Sequence, residues 1–416
     1  MEKAKFKISL TPLILIATVG GIVFGSIVGP WAGNLKFIGD IFIRLIQMSV
    51  VLLVMSAVSA AFGNIDSKGA GKMGFHMFKW IFFLTTLSAL LGLALGLIIR
   101  PGDGIDLSAA AAAAGPVAQA SLQDTLRGFV PTNVIASMAA GEMVPSILFA
   151  IFFGLALGSY TRTTGNRNIL EFVTGINGVI MNIIKMVMNF APVGIFCLLA
   201  DVAGTIGFTV IFPMLKFLGA LFIGVVIQVV GYGLLTAMLC KVNPLKMPQK
   251  FAKMSIMAVT TTSSAICLPT KMEDSYTKFG VSRRVVDFTG PITMTMNSNG
   301  AVMCYVLAIL FMSQSTGIML GTHQLIMAIL LSILMCIGTI VVPGGMVVVY
   351  TFLAASMGLP MESVAILIGI DWFSGMFRTF MNVNADVLVA VLVADKLGEL
   401  DRDVYNGVKT VEYTPL

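Results

Sequence analysis

SVAILIGIDWFSGMFRTFMNVNADVLVAVLVADKL, residues 363–397, is apolar and long enough to cross a bilayer, yet it carries Asp371, Arg378 and Asp386. A charge at that depth costs about 2.5–3.5 kcal/mol on insertion scales, so it is kept for a partner or a task. Arg378 follows Asp371 by seven residues and Asn382 follows Arg378 by four, which puts the three on one helical face. Asp386 continues that face one turn further along. Arg378 has no carboxylate within one turn, which leaves its planar fork of donors open to a bidentate partner, as a solute carboxylate would be. Asp386, flanked by Asn382 and Asn384, offers hard oxygen ligands to a small cation. The competing reading is a stripe of salt bridges that glues helices together.

The rest of the chain makes lipid the solvent of this surface. Its 416 residues are 57% hydrophobic and 11% charged, with mean hydropathy +0.96, whereas soluble domains carry about 25% charged residues. Apolar runs predict helices near 9–29, 37–62, 78–100, 143–158, 169–200 and 208–240. Runs of that length without period-2 alternation exclude a β-barrel, so one all-α membrane domain spanning 1–416 is expected. The first run follows a positive start without a small-residue cleavage site, and reads as a membrane helix rather than a signal peptide.

The net charge of +6 sits in short loops rather than on one patch, which speaks for topology and against nucleic acid. Lys3, Lys5 and Lys7, then Lys68, Lys72 and Lys79, then Arg162 and Arg167, then Lys241, Lys246, Lys250 and Lys253 mark one side. The long segment 101–142 holds Asp103, Asp106 and Asp124 against Arg127, and its Ala-rich tract at 108–116 reads as a connector. Cytoplasmic termini follow. Cys197, Cys240, Cys267, Cys304 and Cys336 lack disulfide or zinc spacing and read as packing residues, and His76 and His323 as surface loop residues. The absence of a P-loop, a Ser/His/Asp set or HExxH gives no support for ATP-driven transport within the chain or for hydrolysis; a non-enzyme is expected.

Beyond residue 245 the apolar runs are interrupted by VTTTSSAICLPT at 259–270, TMNSNGA at 295–301 and TIVVPGG at 339–345. Broken backbone in lipid survives only when it is buried in protein or lines a cavity, and such breaks point to a transporter site. The first and third lie between arms too short to span alone, which predicts paired re-entrant hairpins near 245–280 and 320–360. Kinked helices packed through small residues are the plainer alternative.

With these residues in view, the chain resembles the dicarboxylate/amino acid:cation symporter family, which includes the glutamate transporters. The likeness covers nearly the whole chain and is carried by VPTNVIASMAAGEMVPSILFAIFFGLALG at 130–158, MNFAPVGIF at 188–196, SSAICLP at 263–269, NSNG at 297–300, VVPGG at 341–345 and RTFMNVNAD at 378–386. The resemblance implies eight transmembrane helices plus two re-entrant hairpins, a homotrimer in the bacterial inner membrane, and an elevator mechanism. Scaffold and trimerisation parts would be approximately 1–77 and 143–211, and transport parts approximately 78–100 and 212–403. It places the first hairpin tip at Ser263–Pro269 and the outer gate at Val341–Gly345.

By the same resemblance Arg378 holds a substrate carboxylate, with Thr379, Asn382, Ser263, Ser264, Gly375, Ala301, Val342 and Gly344 around the substrate. Asp386, Asn297, Asn299, Thr295, Ser298, Thr293 and Asn382 would form cation sites for Na+, with H+ as the other coupling ion; no organic cofactor is implied. Three departures stand out. Gly375 replaces the aspartate that meets an amino acid's ammonium group, which favours a C4-dicarboxylate. Asn299 replaces a cation-binding carboxylate, weakening one sodium site. Met346 and Val347–Val349 follow the gate glycines, which suits closure around a differently shaped solute. The expected function is cation-coupled symport of a small carboxylate. An amino-acid carrier, with Asp371 or Asn384 meeting the ammonium, is the alternative; an anion channel and a non-transporting membrane scaffold are the readings from other classes.

Overall fold

A computed structural model of the chain describes residues 10–64, 71–105, 107, 127, 130–141, 143–336 and 346–413. Backbone polar groups in hydrocarbon must bond within their own segment, and the apolar runs accordingly close into helices. Helix α1 (Leu10–Val28) leads through the short 3-10 turn Gly29–Leu35 into α2 (Lys36–Gly63). Then come α3 (Gly71–Ile99), the short α4 (Val134–Ala139), α5 (Met143–Thr164), α6 (Asn168–Met188), α7 (Ala191–Ile206) and α8 (Ile211–Cys240). The run expected at 169–200 is therefore two helices. Pro192 lies in the first turn of α7, where its missing N–H costs nothing, whereas inside a continuous helix it would break a bond. His76 and His323 also differ from expectation: each is half-buried within a helix rather than in a loop. All five cysteines are buried and free, as packing residues should be.

The second half is shorter-stepped. Helices α9 (Met247–Thr261) and α10 (Ser264–Thr277) form the first hairpin, and α11 (Arg283–Met296) and α12 (Asn299–Ser315) are one axis interrupted at Asn297 and Ser298. Helices α13 (Thr322–Cys336) and α14 (Met346–Ser356) follow, within the range 320–360 where the second hairpin is expected. Residues 337–345, with Val342, Gly344 and the whole expected gate, lie outside the described residues. So does the connector at 108–116. Helices α15 (Glu362–Gly369), α16 (Asp371–Leu397) and α17 (Arg402–Asn406) complete the chain. The run expected as a single span at 363–397 is thus broken at Ile370, whose N–H turns back to Leu367 at 3.3 Å. The break sets Asp371 in the first turn of α16, where the helix dipole favours a carboxylate.

The tip of the first hairpin is tighter than the expected Ser263–Pro269. Only Thr262 and Ser263 leave the helical conformation, and Pro269 sits inside α10. Thr262 is left-handed at φ 48°, a costly conformation for a β-branched residue. Such strain persists where surrounding structure holds it, and clusters at ligand clamps.

Helix α1 packs along α7, and α2 against α5 and α6; in the other half α3 packs on α12, while α8, α9, α11 and α12 surround α16. Contact between the halves runs through α2 with α14, α15 with α7 and with α1, and the ion pair Lys36 Nζ–Glu362 Oε1 at 2.7 Å. Helix α12 is buried almost throughout, and α16 through most of its length. By contrast, α6 presents Phe172, Val179 and Met186 outward, each at least 60% exposed, as only a lipid- or protein-facing surface tolerates. Seven helical stretches among the described residues are long and apolar enough to cross a bilayer. The chain is an all-α, multi-pass membrane protein.

Candidate functional site

Arg378 is buried, and its Nη2 donates to Asp371 Oδ1 at 2.7 Å. This corrects the expectation of a guanidinium free of protein carboxylates. Two turns of α16 bring Asp371 under the arginine, and the long side chain spans the gap. One half of the fork remains available: the buried Nε has no partner among the described residues. A Cβ placed on Gly375 would lie 3.3 Å from Arg378 Nη2 and 3.7 Å from Thr262 Cβ. The hairpin tip therefore meets the charged helix beside Gly375. Thr262 Oγ1 is likewise buried without a partner there. A buried polar atom left without a partner is costly unless something binds it. Ser263 and Ser264, buried at the start of α10, flank the same tip, and Thr379 is buried on the turn beyond.

Asp386 lies eight residues further along α16, about 12 Å at 1.5 Å per residue. The expected cation position is taken by a side chain. Lys271 of α10 places its Nζ 2.6 Å from Asp386 Oδ2, 3.0 Å from the Gly290 carbonyl and 3.4 Å from Thr293 Oγ1. Three donors on an ammonium meet three acceptors. The other carboxylate oxygen accepts from Asn297 Nδ2 at 3.0 Å. These are the oxygens a sodium ion would need, so Na+ does not fit at Asp386 while Lys271 stays in place. Among the described residues no group of three His, Cys, Asp or Glu gathers as a metal site.

A family model described as "Sodium:dicarboxylate symporter family" matches residues 10–396. The chain belongs to that family. It is 30% identical over 388 residues to a proton/glutamate-aspartate symporter of Bacillus subtilis, covering 92% of this chain and 93% of the relative. A proton/glutamate-aspartate symporter of Escherichia coli is 30% identical over 421 residues, with 97% and 95% covered. A C4-dicarboxylate transport protein of Ralstonia nicotianae is 28% identical over 411 residues, again with 97% and 95% covered.

Within this sodium:dicarboxylate symporter chain, the remaining expected residues divide. Asn382 Oδ1 accepts the N–H groups of Gly300 at 2.8 Å and Ala301 at 3.3 Å, so its carbonyl oxygen closes the start of α12 rather than facing a solute. Ala301 is brought into the site region as the other half of that cap. Asn299 Nδ2 donates to Asn297 Oδ1 at 2.8 Å and leaves its own Oδ1 buried without a partner. Ser298 and Thr295 do not join the Asp386 cluster. The Ser298 N–H donates to Cys336 Sγ at 3.0 Å, and Thr295 Oγ1 to the Ile292 carbonyl at 3.0 Å. Asn384 donates to Ser255 Oγ at 3.0 Å, tying α16 to α9. Sequence reasoning missed Thr262 and Lys271. A lysine in the apolar half of a hairpin arm was the available signal for Lys271. The left-handed backbone at Thr262 carries no signal in its residue type, since threonine is not a turn former.

Proposed function

We propose that this chain is a secondary active symporter that moves a small carboxylate, a C4-dicarboxylate in preference to an amino acid, in symport with H+ or with Na+ held away from Asp386. The observation that carries the reading is that the two residues meeting at Gly375 each hold a buried polar atom without a partner among the described residues, Arg378 Nε and Thr262 Oγ1. A carboxylate offers the acceptors both lack, and a charge-assisted bond of this kind contributes about 1.5–3 kcal/mol. An α-ammonium group finds no uncompensated carboxylate beside them among the described residues: Gly375 has no side chain, and the charge of Asp371 is balanced by Arg378, which bonds its Oδ1. The names of the relatives, which include both C4-dicarboxylate and glutamate-aspartate carriers, make the amino acid the competing substrate.

In this reading α3 and α8–α16 form the moving part and α1, α2 and α5–α7 the scaffold of a homotrimer in a bacterial inner membrane, with both termini cytoplasmic. The packing of the helices into two groups that meet through few elements supports it. Cross-linking for the trimer and cysteine accessibility for the termini test these points.

The deciding experiment is counterflow in proteoliposomes with labelled succinate, fumarate, malate and aspartate under imposed Na+ or H+ gradients. Dicarboxylate uptake that depends on a cation gradient and disappears in Arg378→Ala is expected. Uptake that ignores every cation gradient would make the protein an anion channel, and dicarboxylate uptake undiminished in Arg378→Ala would remove the assigned role.

A further inference from the structure

A cluster of oxygens around a buried carboxylate is a cation site in waiting, unless a protein cation already fills it. Asp386 Oδ2, the Gly290 carbonyl and Thr293 Oγ1 converge from α16 and α11, and Lys271 Nζ of α10 lies within hydrogen-bonding distance of all three. The lysine side chain is 3% exposed and that of Asp386 1%, so neither charge is compensated by water. We infer that Lys271 is a tethered cation, standing where a bound Na+ would otherwise neutralise Asp386, so that the cation dependence of this carrier does not run through Asp386.

Two arguments carry the inference. The first is charge. Along α16 and α10, Asp371 with Arg378 and Asp386 with Lys271 form two ion pairs whose four formal charges cancel. A second monovalent cation on Asp386 would sit against the ammonium in a low-dielectric interior, where like charges at contact repel strongly. The second is valence. The ammonium has three donors and finds three acceptors, while Asn297 Nδ2 takes the remaining carboxylate oxygen. The ammonium thus holds the three oxygens that a further ion at this side of Asp386 would need. Lys271 does not leave easily either, because α10 is fixed at its start by the hairpin tip and packs on α11 and α16. The consequence for coupling rests on the proposed carrier function; the claim about Na+ at Asp386 does not, and is tested without any carboxylate.

The measurement is the melting temperature of the purified full chain in detergent, titrated with NaCl against choline chloride at equal ionic strength. Wild type and Asp386→Asn should respond to Na+ alike. Lys271→Ala should gain a saturable, Na+-selective rise of about 3–5 °C at a hundredfold excess over Kd, and Lys271→Ala with Asp386→Asn should lose that gain. Lys271→Thr, which keeps an oxygen donor, repeats the test should the alanine variant not fold. If neither variant folds, the comparison of wild type with Asp386→Asn decides alone. A wild-type Na+ response abolished by Asp386→Asn, or a Lys271 variant that folds and answers Na+ no differently from wild type, would overturn the inference. Either result leaves carboxylate uptake, read separately in proteoliposomes, untouched.

Discussion

Gly375 is the residue whose lack of a side chain does most for the proposed substrate preference. A Cβ there would approach Arg378 Nη2 to 3.3 Å, so the carboxylate of Gly375→Asp would compete for the same guanidinium that a solute is proposed to use. Dicarboxylate uptake in this variant should fall by at least about tenfold, the equivalent of one charge-assisted bond, with labelled aspartate uptake gained in its place. Unchanged succinate uptake would speak against the assignment. The charged residues at 371, 378 and 386 were legible in the sequence, because a charge inside an apolar run stands out by composition alone, whereas the absence at 375 stood out only through the resemblance to the symporter family. Their pairings were not. Asp371 is two turns from Arg378 and Lys271 is on another helix from Asp386; which charge meets which depends on rotamers and on the packing of separate elements.

At the scale of elements, the interrupted axis α11–α12 is held by a side chain from α16. Asn382 Oδ1 satisfies the first free N–H groups of α12, the office of an N-cap supplied from another helix. Gly300 lets the two helices meet, since a Cβ there would lie 2.6 Å from the Arg378 carbonyl oxygen. Asn382→Ala should lower stability by about 1–2 kcal/mol, seen as a reduced melting temperature; an unchanged one would mean the cap is replaced by other donors or water. The end of the chain behaves differently because it is exposed. Asp401 caps α17 through the N–H groups of Asp403 and Val404, and the Lys409 ammonium beside it, with those N–H bonds, holds its carboxyl below the usual range. A depressed folded-state pKa gives stability that is complete above the unfolded value of about 3.9 and is lost as pH falls through the folded value. The protection factors of the α17 amides, taken relative to the intrinsic exchange rate at each pH, should therefore fall at acid pH from their values at neutrality. Protection that does not change on acidification would count against the cap. The interruptions at 259–270 and 295–301 were readable from their Ser, Thr, Asn and Gly content. The breaks before Ala191 and at Ile370 were read through as continuous helix, since a proline in a first turn and an isoleucine break no apolar pattern.

For the whole molecule, the Lys36–Glu362 ion pair joins α2 to α15 across the two helical groups. If those groups slide past each other during transport, this half-exposed pair must open each time, and pairs of that kind contribute about 0.2–1 kcal/mol. Glu362→Gln should accordingly raise maximal uptake in proteoliposomes by about 1.5- to 5-fold, and a rate unaffected or lowered would argue that the pair does not break in the cycle. The sequence by itself determined that this is an all-α membrane protein of the sodium:dicarboxylate symporter family with buried charge in its last long helix. Hydrophobicity, helical period and the rarity of charge in lipid, which give the membrane class, are local properties, additive along the chain, and the motifs that carry the family likeness are local too. Tertiary structure decided that the cation beside Asp386 is a lysine and that Arg378 offers half its fork. A buried charge takes whichever partner packing brings within about 3 Å, and distances between helices far apart in sequence are set only when the bundle closes.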